Sequence, residues 1–293
     1  MNRRTEHQEL NLITMSKAAL LLIATTISTG FWPISPASAE SIEMANKLES
    51  HAEPPAFKRL YGDMGNPQAR KILCIGNSIL YCHQAPKMLT AMIKSKRPNE
   101  KVEVEMVAGS GYSLKDHFLD GLAVRELKRR QWDIVLLQES TAQPTSDTKC
   151  FMYYLNSFVK LARKQSKAVY LMETYNDAGQ PAMGPTQTVL RKAAEQQHIP
   201  LIPSGEVFTY VREKYKNINI YSVDGHHPNF AGSYLLALTI YAILYHDSPR
   251  GLPATIKLPG QKEELIFFSN QTSSAKHLQD SAWIKLRSYL YND

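Results

Sequence analysis

Asp224-Gly225-His226-His227-Pro228 places a carboxylate three residues before an imidazole, just ahead of the apolar stretch from Phe230 to Leu244. That stretch reads as a buried helix, so Asp224 and His227 stand at a helix N-terminus beside the core, where side chains one turn apart can converge. A carboxylate that orients an imidazole is most of the machinery of nucleophilic catalysis, and the missing part is a hydroxyl or thiol to activate. The segment Lys71-Ile72-Leu73-Cys74-Ile75-Gly76-Asn77-Ser78-Ile79-Leu80 supplies one, because an apolar run stops at Gly76 and presents Ser78. Alone, Ser78 reads as a serine capping a helix after a strand. Beside an Asp and a His it reads as a nucleophile, with His227 as its base and Asp224 as the group that orients and stabilises that base. His226 is a competing histidine.

These two blocks, in this order, resemble the motifs of the SGNH/GDSL hydrolase family, in which a Gly-Asp-Ser-Leu block follows the first strand and an Asp-x-x-His-Pro block lies near the C-terminal end. Here they read Gly76-Asn77-Ser78-Ile79 and Asp224-Gly225-His226-His227-Pro228. The resemblance spans roughly residues 68 to 247. It wants the histidine that precedes proline, which selects His227 and leaves His226 as a neighbour facing substrate or solvent. It implies a serine ester hydrolase that forms a covalent acyl-enzyme. Lipid, aryl or carbohydrate esters are within its range, O-acetyl groups on carbohydrate among them. The alternative is a binding protein of the same fold with weak catalysis.

Acyl transfer also needs donors for the developing oxyanion. The backbone N–H of Ser78 is one candidate. A second lies in Ala108-Gly109-Ser110-Gly111-Tyr112-Ser113, where glycine lets backbone approach a substrate closely. The resemblance favours Gly111, since the family's second block is a glycine followed by x-Ser/Thr; Gly109 stays open, as does a glycine-rich turn with no ligand. The family's third donor is an asparagine, and the chain departs from it there: the block reads Leu136-Leu137-Gln138-Glu139-Ser140, so Gln138 is the expected donor on a stem one methylene longer. Asn77 in place of the family's Asp is a milder departure, because both side chains suit turns. Glu173 and Asp177 either line the cleft or are solvated loop carboxylates.

Positioning these residues takes a frame of alternating elements. Strands are expected at 71–76, 101–107, 133–138, 168–173 and 199–202, and helices at about 84–96, 114–130, 149–165 and 186–197. The alternation predicts an α/β fold, a three-layer α/β/α sandwich around a parallel sheet of about five strands. Under the resemblance this is the flavodoxin-like SGNH arrangement. Ser78, Gly111 and Gln138 all follow strand ends, where ligands of open α/β sheets bind. A final amphipathic helix at 275–286 reads as a packing element.

The chain of 293 residues is 43% hydrophobic and 21% charged, ordinary material for a globular domain. Residues 1–39 read as a signal peptide: a basic start, the apolar run Leu20 to Ser28, and Ala37-Ser38-Ala39 before Glu40, with Met15 as an alternative start. The apolar part is short for a membrane span. Export to the periplasm or beyond, with no stable membrane insertion after cleavage, is therefore the expectation. Residues 40–67 form an N-terminal arm and 68–293 the catalytic domain. The formal net charge of +7 is spread without a Lys/Arg cluster of the nucleic-acid type. No cofactor is expected, and no metal, since adjacent histidines diverge and no further ligand set lies at metal spacing. Three cysteines exclude a complete disulfide framework; Cys74 reads as an inert core thiol, and a Cys82–Cys150 bridge stays open.

Overall fold

The structure, a computed structural model, describes residues 56–181, 184–254 and 272–291. The expected signal peptide and the first part of the expected arm lie outside the described residues. Six strands form one sheet: β1 Phe57–Gly62, β2 Arg70–Asn77, β3 Val102–Gly109, β4 Trp132–Gln138, β5 Ser166–Met172 and β6 Leu201–Ile202, in the order β1-β3-β2-β4-β5-β6. β2 to β6 are the five parallel strands expected. β1 is additional. It pairs antiparallel with β3 at the sheet edge, so the end of the arm belongs to the sheet. Its alternating exposure, with Lys58 reaching Glu105 and Glu126, lacks the apolar run that marks a strand buried on both faces.

Alternation along the central strands splits the core into two layers. Ile72, Cys74, Ile134 and Leu136 face one cluster, while Leu73, Ile75, Val135 and Leu137 face the other. The second cluster is closed by helices α3 Leu114–Asp120, α4 Leu122–Arg129, α6 Thr148–Gln165 and α7 Pro185–Gln196. The first is closed by α2 Ala85–Lys96, α8 Ser204–Lys214, α9 Phe230–Tyr245 and α10 Thr272–Leu290. Two single-turn helices, α1 Ser78–Tyr81 and α5 Gln143–Ser146, follow β2 and β4. The helix expected at 114–130 is two helices, broken at Gly121, whose φ of 84° ends α3. α9 is buried from Ala231 to Tyr245, as a helix apolar on every side must be.

The order of the strands fixes where a ligand can sit. From β2 the chain crosses to β3 on one side, then returns past β2 to β4 on the other. The carboxyl end of β2 is therefore the switch point of the sheet, where connections diverge and leave a crevice. Ser78 is the first residue beyond it.

Candidate active site

Ser78 opens α1 and is only 6% exposed. Asn77, in extended backbone at the N-cap, accepts a bond from Ile79 N at 3.1 Å through its side chain. The same side chain donates to Tyr112 O at 3.0 Å, tying the end of β2 to the turn after β3. Gln138 holds Asn77 from the other side: its Oε1 accepts from Asn77 N at 2.8 Å and its Nε2 donates to Asn77 Oδ1 at 3.1 Å. His117, buried on α3, donates from Nε2 to Gly76 O at 2.7 Å; burial lowers its pKa, which keeps the ring neutral. These bonds fix the backbone on both sides of the serine.

His227 reaches the serine from a loop. Asn229 N bonds to Ile220 O at 3.2 Å and Ser222 N to His227 O at 2.8 Å, with a bridge between Tyr221 and Pro228. The loop reverses at Gly225, whose φ of 68° favours glycine. It is anchored to α9 at Gly232, where an added Cβ would lie 2.2 Å from Ile220 O. Asp224 Oδ1 accepts from the N–H groups of His226 and His227, each at 3.0 Å, and Oδ2 pairs with His227 Nδ1 at 2.5 Å. The bond from the His227 side chain, then those two N–H groups, hold the Asp224 carboxyl well below the usual carboxylate range. His227 Nε2 lies 2.9 Å from Ser78 Oγ. The structure thus brings Ser78, His227 and Asp224 into one hydrogen-bonded row, from elements 149 residues apart.

Gly111 lies exposed in the turn after β3 with φ 68°, and nothing stands within 4 Å of the place a Cβ would take. Gly109 is closed off: a Cβ there would lie 2.4 Å from the Tyr112 ring. Of the two glycines, Gly111 is the one open to a ligand. Asn77 holds its turn beside the serine.

Gln138 is placed otherwise than the sequence suggested. It is fully buried, and its amide nitrogen donates to Asn77 Oδ1 and, at 2.5 Å, to Glu139 O. Both amide protons are engaged inside the protein, so none is left for an oxyanion. The longer stem brings the amide onto the backbone and side chain of Asn77, just before Ser78. The position of Gly76 follows from this packing, since a Cβ there would meet Gln138 Oε1 at 2.3 Å.

Three other residues around the site drew little or no notice in the sequence. Glu139, fully buried, accepts from Leu114 N and from Ser140 N at 2.6 Å, so it caps α3 from across the sheet. Burial pushes its pKa up to about 7. His117 carried no motif. Asp177 accepts from His226 Nδ1 at 2.6 Å, whereas Glu173 is buried against Arg191 Nε at 2.8 Å, away from solvent. Cys82 and Cys150 are free thiols. Cys82, although exposed, has its thiol pKa raised by partial desolvation and by the charge of Asp224, and burial pushes Cys74 up to about 12. Among the described residues no helix is long and apolar enough to cross a membrane.

No protein-family model and no curated protein sequence matches the chain. Solved structures do. A Slackia heliotrinireducens protein assigned to the SGNH hydrolases superposes with a TM-score of 0.52 at 23% identity, over 60% of this chain and 99% of its own. A DUF4886 family protein from Bacteroides uniformis gives 0.54 at 17% identity, over 77% of this chain and 96% of its own. An acetylxylan esterase from Geobacillus stearothermophilus, Axe2, gives 0.47 at 18% identity, over 58% and 92%. With the strand order and the crevice after β2, the first two matches establish the architecture: the chain has the α/β/α fold of the SGNH hydrolases.

Proposed function

We propose that the protein is an exported serine ester hydrolase that removes a small acyl group through a covalent acyl-enzyme. The observation that carries this reading is the row Ser78 Oγ, His227 Nε2, His227 Nδ1, Asp224 Oδ2, with separations of 2.9 Å and 2.5 Å at its two hydrogen bonds. In the proposed reaction His227 Nε2 takes the Ser78 proton as Oγ attacks the ester carbonyl, and Asp224 stabilises the imidazolium that forms. The tetrahedral oxyanion is received by the N–H groups of Ser78 and Gly111. Ser78 N, at the first position of α1, has no acceptor within its own helix. The C–O bond to the alcohol breaks as His227 returns the proton to the leaving oxygen. Water, deprotonated by the same imidazole, then releases the acid and regenerates the serine.

The substrate proposed is an acyl ester, with O-acetylated carbohydrate as the class the sequence resemblance suggests. Export rests on the basic, apolar and small-residue pattern of residues 1–39, and a secreted or periplasmic form starting at Glu40 is its expected product. A second reading, a binding protein with weak catalysis, draws support from one observation: Gln138 is turned away from the cleft, which leaves two backbone donors where the resemblance implied three.

Hydrolysis of 4-nitrophenyl acetate separates the two. The wild-type protein is expected to turn over, and Ser78→Ala to lose that activity by a factor on the order of 10⁴ or more with its fold retained. Equal rates for both would remove Ser78 from the reaction. A wild type no faster than buffer would favour the binding reading.

A further inference from the structure

A second imidazole–carboxylate pair stands beside the first. His226 Nδ1 and Asp177 Oδ1 are 2.6 Å apart, and the His226 ring meets the His227 ring edge to face with centroids 4.9 Å apart. Its partner comes from a separate loop, after β5, and that loop is fixed at four points. Tyr221 OH donates to Asn176 O at 2.8 Å, Ala178 N donates to Gly225 O at 2.8 Å, and Arg212 Nη2 donates to Ala178 O at 2.7 Å and Gln180 O at 2.9 Å. Asp177 therefore does not drift in solvent; it is held against the loop that carries Asp224 and His227.

The pair does little for stability. The two side chains are 38% and 49% exposed, and a solvent-exposed ion pair contributes at most about 1 kcal/mol. Its effect is instead to fix the ring. With Asp177 accepting from Nδ1–H, the neutral ring keeps a lone pair on Nε2, an acceptor with a fixed orientation. His227 Nε2, in the adjacent ring, must hand its proton to the alcohol oxygen of the ester, so the groups bordering that ring border the space the alcohol occupies.

We propose that His226, held by Asp177, receives a hydroxyl group on the carbon adjacent to the one that bears the ester oxygen, so that the protein selects esters of polyols and sugars over esters of simple alcohols. The inference rests on the hydrolase reading above. It makes His226 a specificity-determining residue and Asp177 its positioning residue.

The test compares two esters of the same size, ethylene glycol monoacetate, which carries the neighbouring hydroxyl, and propyl acetate, which does not. The quantity is the ratio of their kcat/KM values, compared between wild type and variants so that intrinsic reactivity cancels. One neutral hydrogen bond corresponds to roughly a 3- to 10-fold change in that ratio. His226→Phe, which keeps the ring and loses its nitrogens, should lower the ratio by that factor, and Asp177→Ala should follow it. His226→Gln, which can place an amide oxygen near the Nε2 position, and Asp177→Asn, which keeps an acceptor for Nδ1–H, should hold the ratio closer to wild type. A purely structural role would instead lower both esters together and the melting temperature with them. An unchanged ratio, or an equal fall on both esters, overturns the proposal and leaves the hydrolase reading standing. Hydrolysis of neither alkyl ester also overturns it, and 4-nitrophenyl acetate in the same assay then tells whether the hydrolase reading falls with it.

Discussion

Ser78 sits at the end of a strand whose surroundings are dry, whereas Asp224 and His227 stand on a loop with side chains 47% and 30% exposed. Around the serine the restraints are long-range and buried: Gln138 reaches Asn77 across 61 residues and His117 reaches Gly76 across 41. On the His227 ring itself the restraint is local, from Asp224, which also accepts from the N–H groups two and three positions on. The proposed nucleophile is thus part of the folding core. The proposed base is a half-buried loop residue given direction by one carboxylate. Damage on the two sides should differ in kind: substitutions in the loop should remove activity and leave stability, and substitutions under the serine should lower stability first.

The largest effect is expected from Asp224→Asn. It leaves an exposed loop intact but no longer fixes the imidazole tautomer or stabilises its protonated form, so turnover should fall on the order of 10⁴-fold. Asparagine keeps an oxygen for the His226 and His227 N–H groups, so the denaturant midpoint should move little. A large loss of stability would erase the contrast between the two sides.

Gln138→Ala tests the other side. It leaves Asn77 N without its buried partner and opens a cavity beside Gly76, for an expected loss of about 3 to 5 kcal/mol in unfolding free energy. Turnover per folded molecule should fall far less than the 100- to 1,000-fold typical of a lost oxyanion donor. The reverse pattern, full stability with a large loss in kcat, would return Gln138 to the reacting centre. Thermal unfolding and kcat measured on one preparation decide it.

Glu139 sharpens the buried side through pH. Its folded pKa, raised to about 7 by burial, lies above the unfolded value of about 4.3. The folded state therefore holds the proton more tightly. Its contribution is complete below pH 4 and is lost as pH rises to 7, a difference of about 3 kcal/mol. Glu139→Gln keeps an oxygen for Leu114 N and Ser140 N and removes the titration, so urea unfolding of the variant should decline less between pH 5 and 8 than that of wild type. Parallel curves would exclude Glu139 as the source.

The smallest effect is expected at Cys82, close enough to Asp224 to feel its charge but held protonated. Cys82→Ser should leave turnover within about twofold. A larger loss in ester hydrolysis would bring a thiol into the chemistry.

The sequence made the exposed side legible and the buried side only in part. Asp224, His227 and the loop between them are contiguous, and local chemistry, an Asx-type turn closed by Gly225, is enough to build them. The five parallel strands were legible because strands buried on both faces are apolar runs. β1 was not, because an edge strand with Lys58 and Leu60 exposed carries no such run. Gln138 was found by alignment of its strand end, but its direction was not, since one methylene decides whether an amide reaches into the cleft or back to Asn77. His117 and Asp177 act through partners 41 and 49 residues distant, and no spacing rule announces a pairing made by the sheet.

The central claim is that the buried Ser78 is activated by the half-buried His227. Labelling with a fluorophosphonate, followed by mass analysis of the modified peptide, tests it most directly. The account predicts one adduct per chain, on Ser78, formed far more slowly in His227→Ala and absent in Ser78→Ala. A wild-type protein that takes up no label, or one whose adduct lies on another residue and persists in Ser78→Ala, would contradict it.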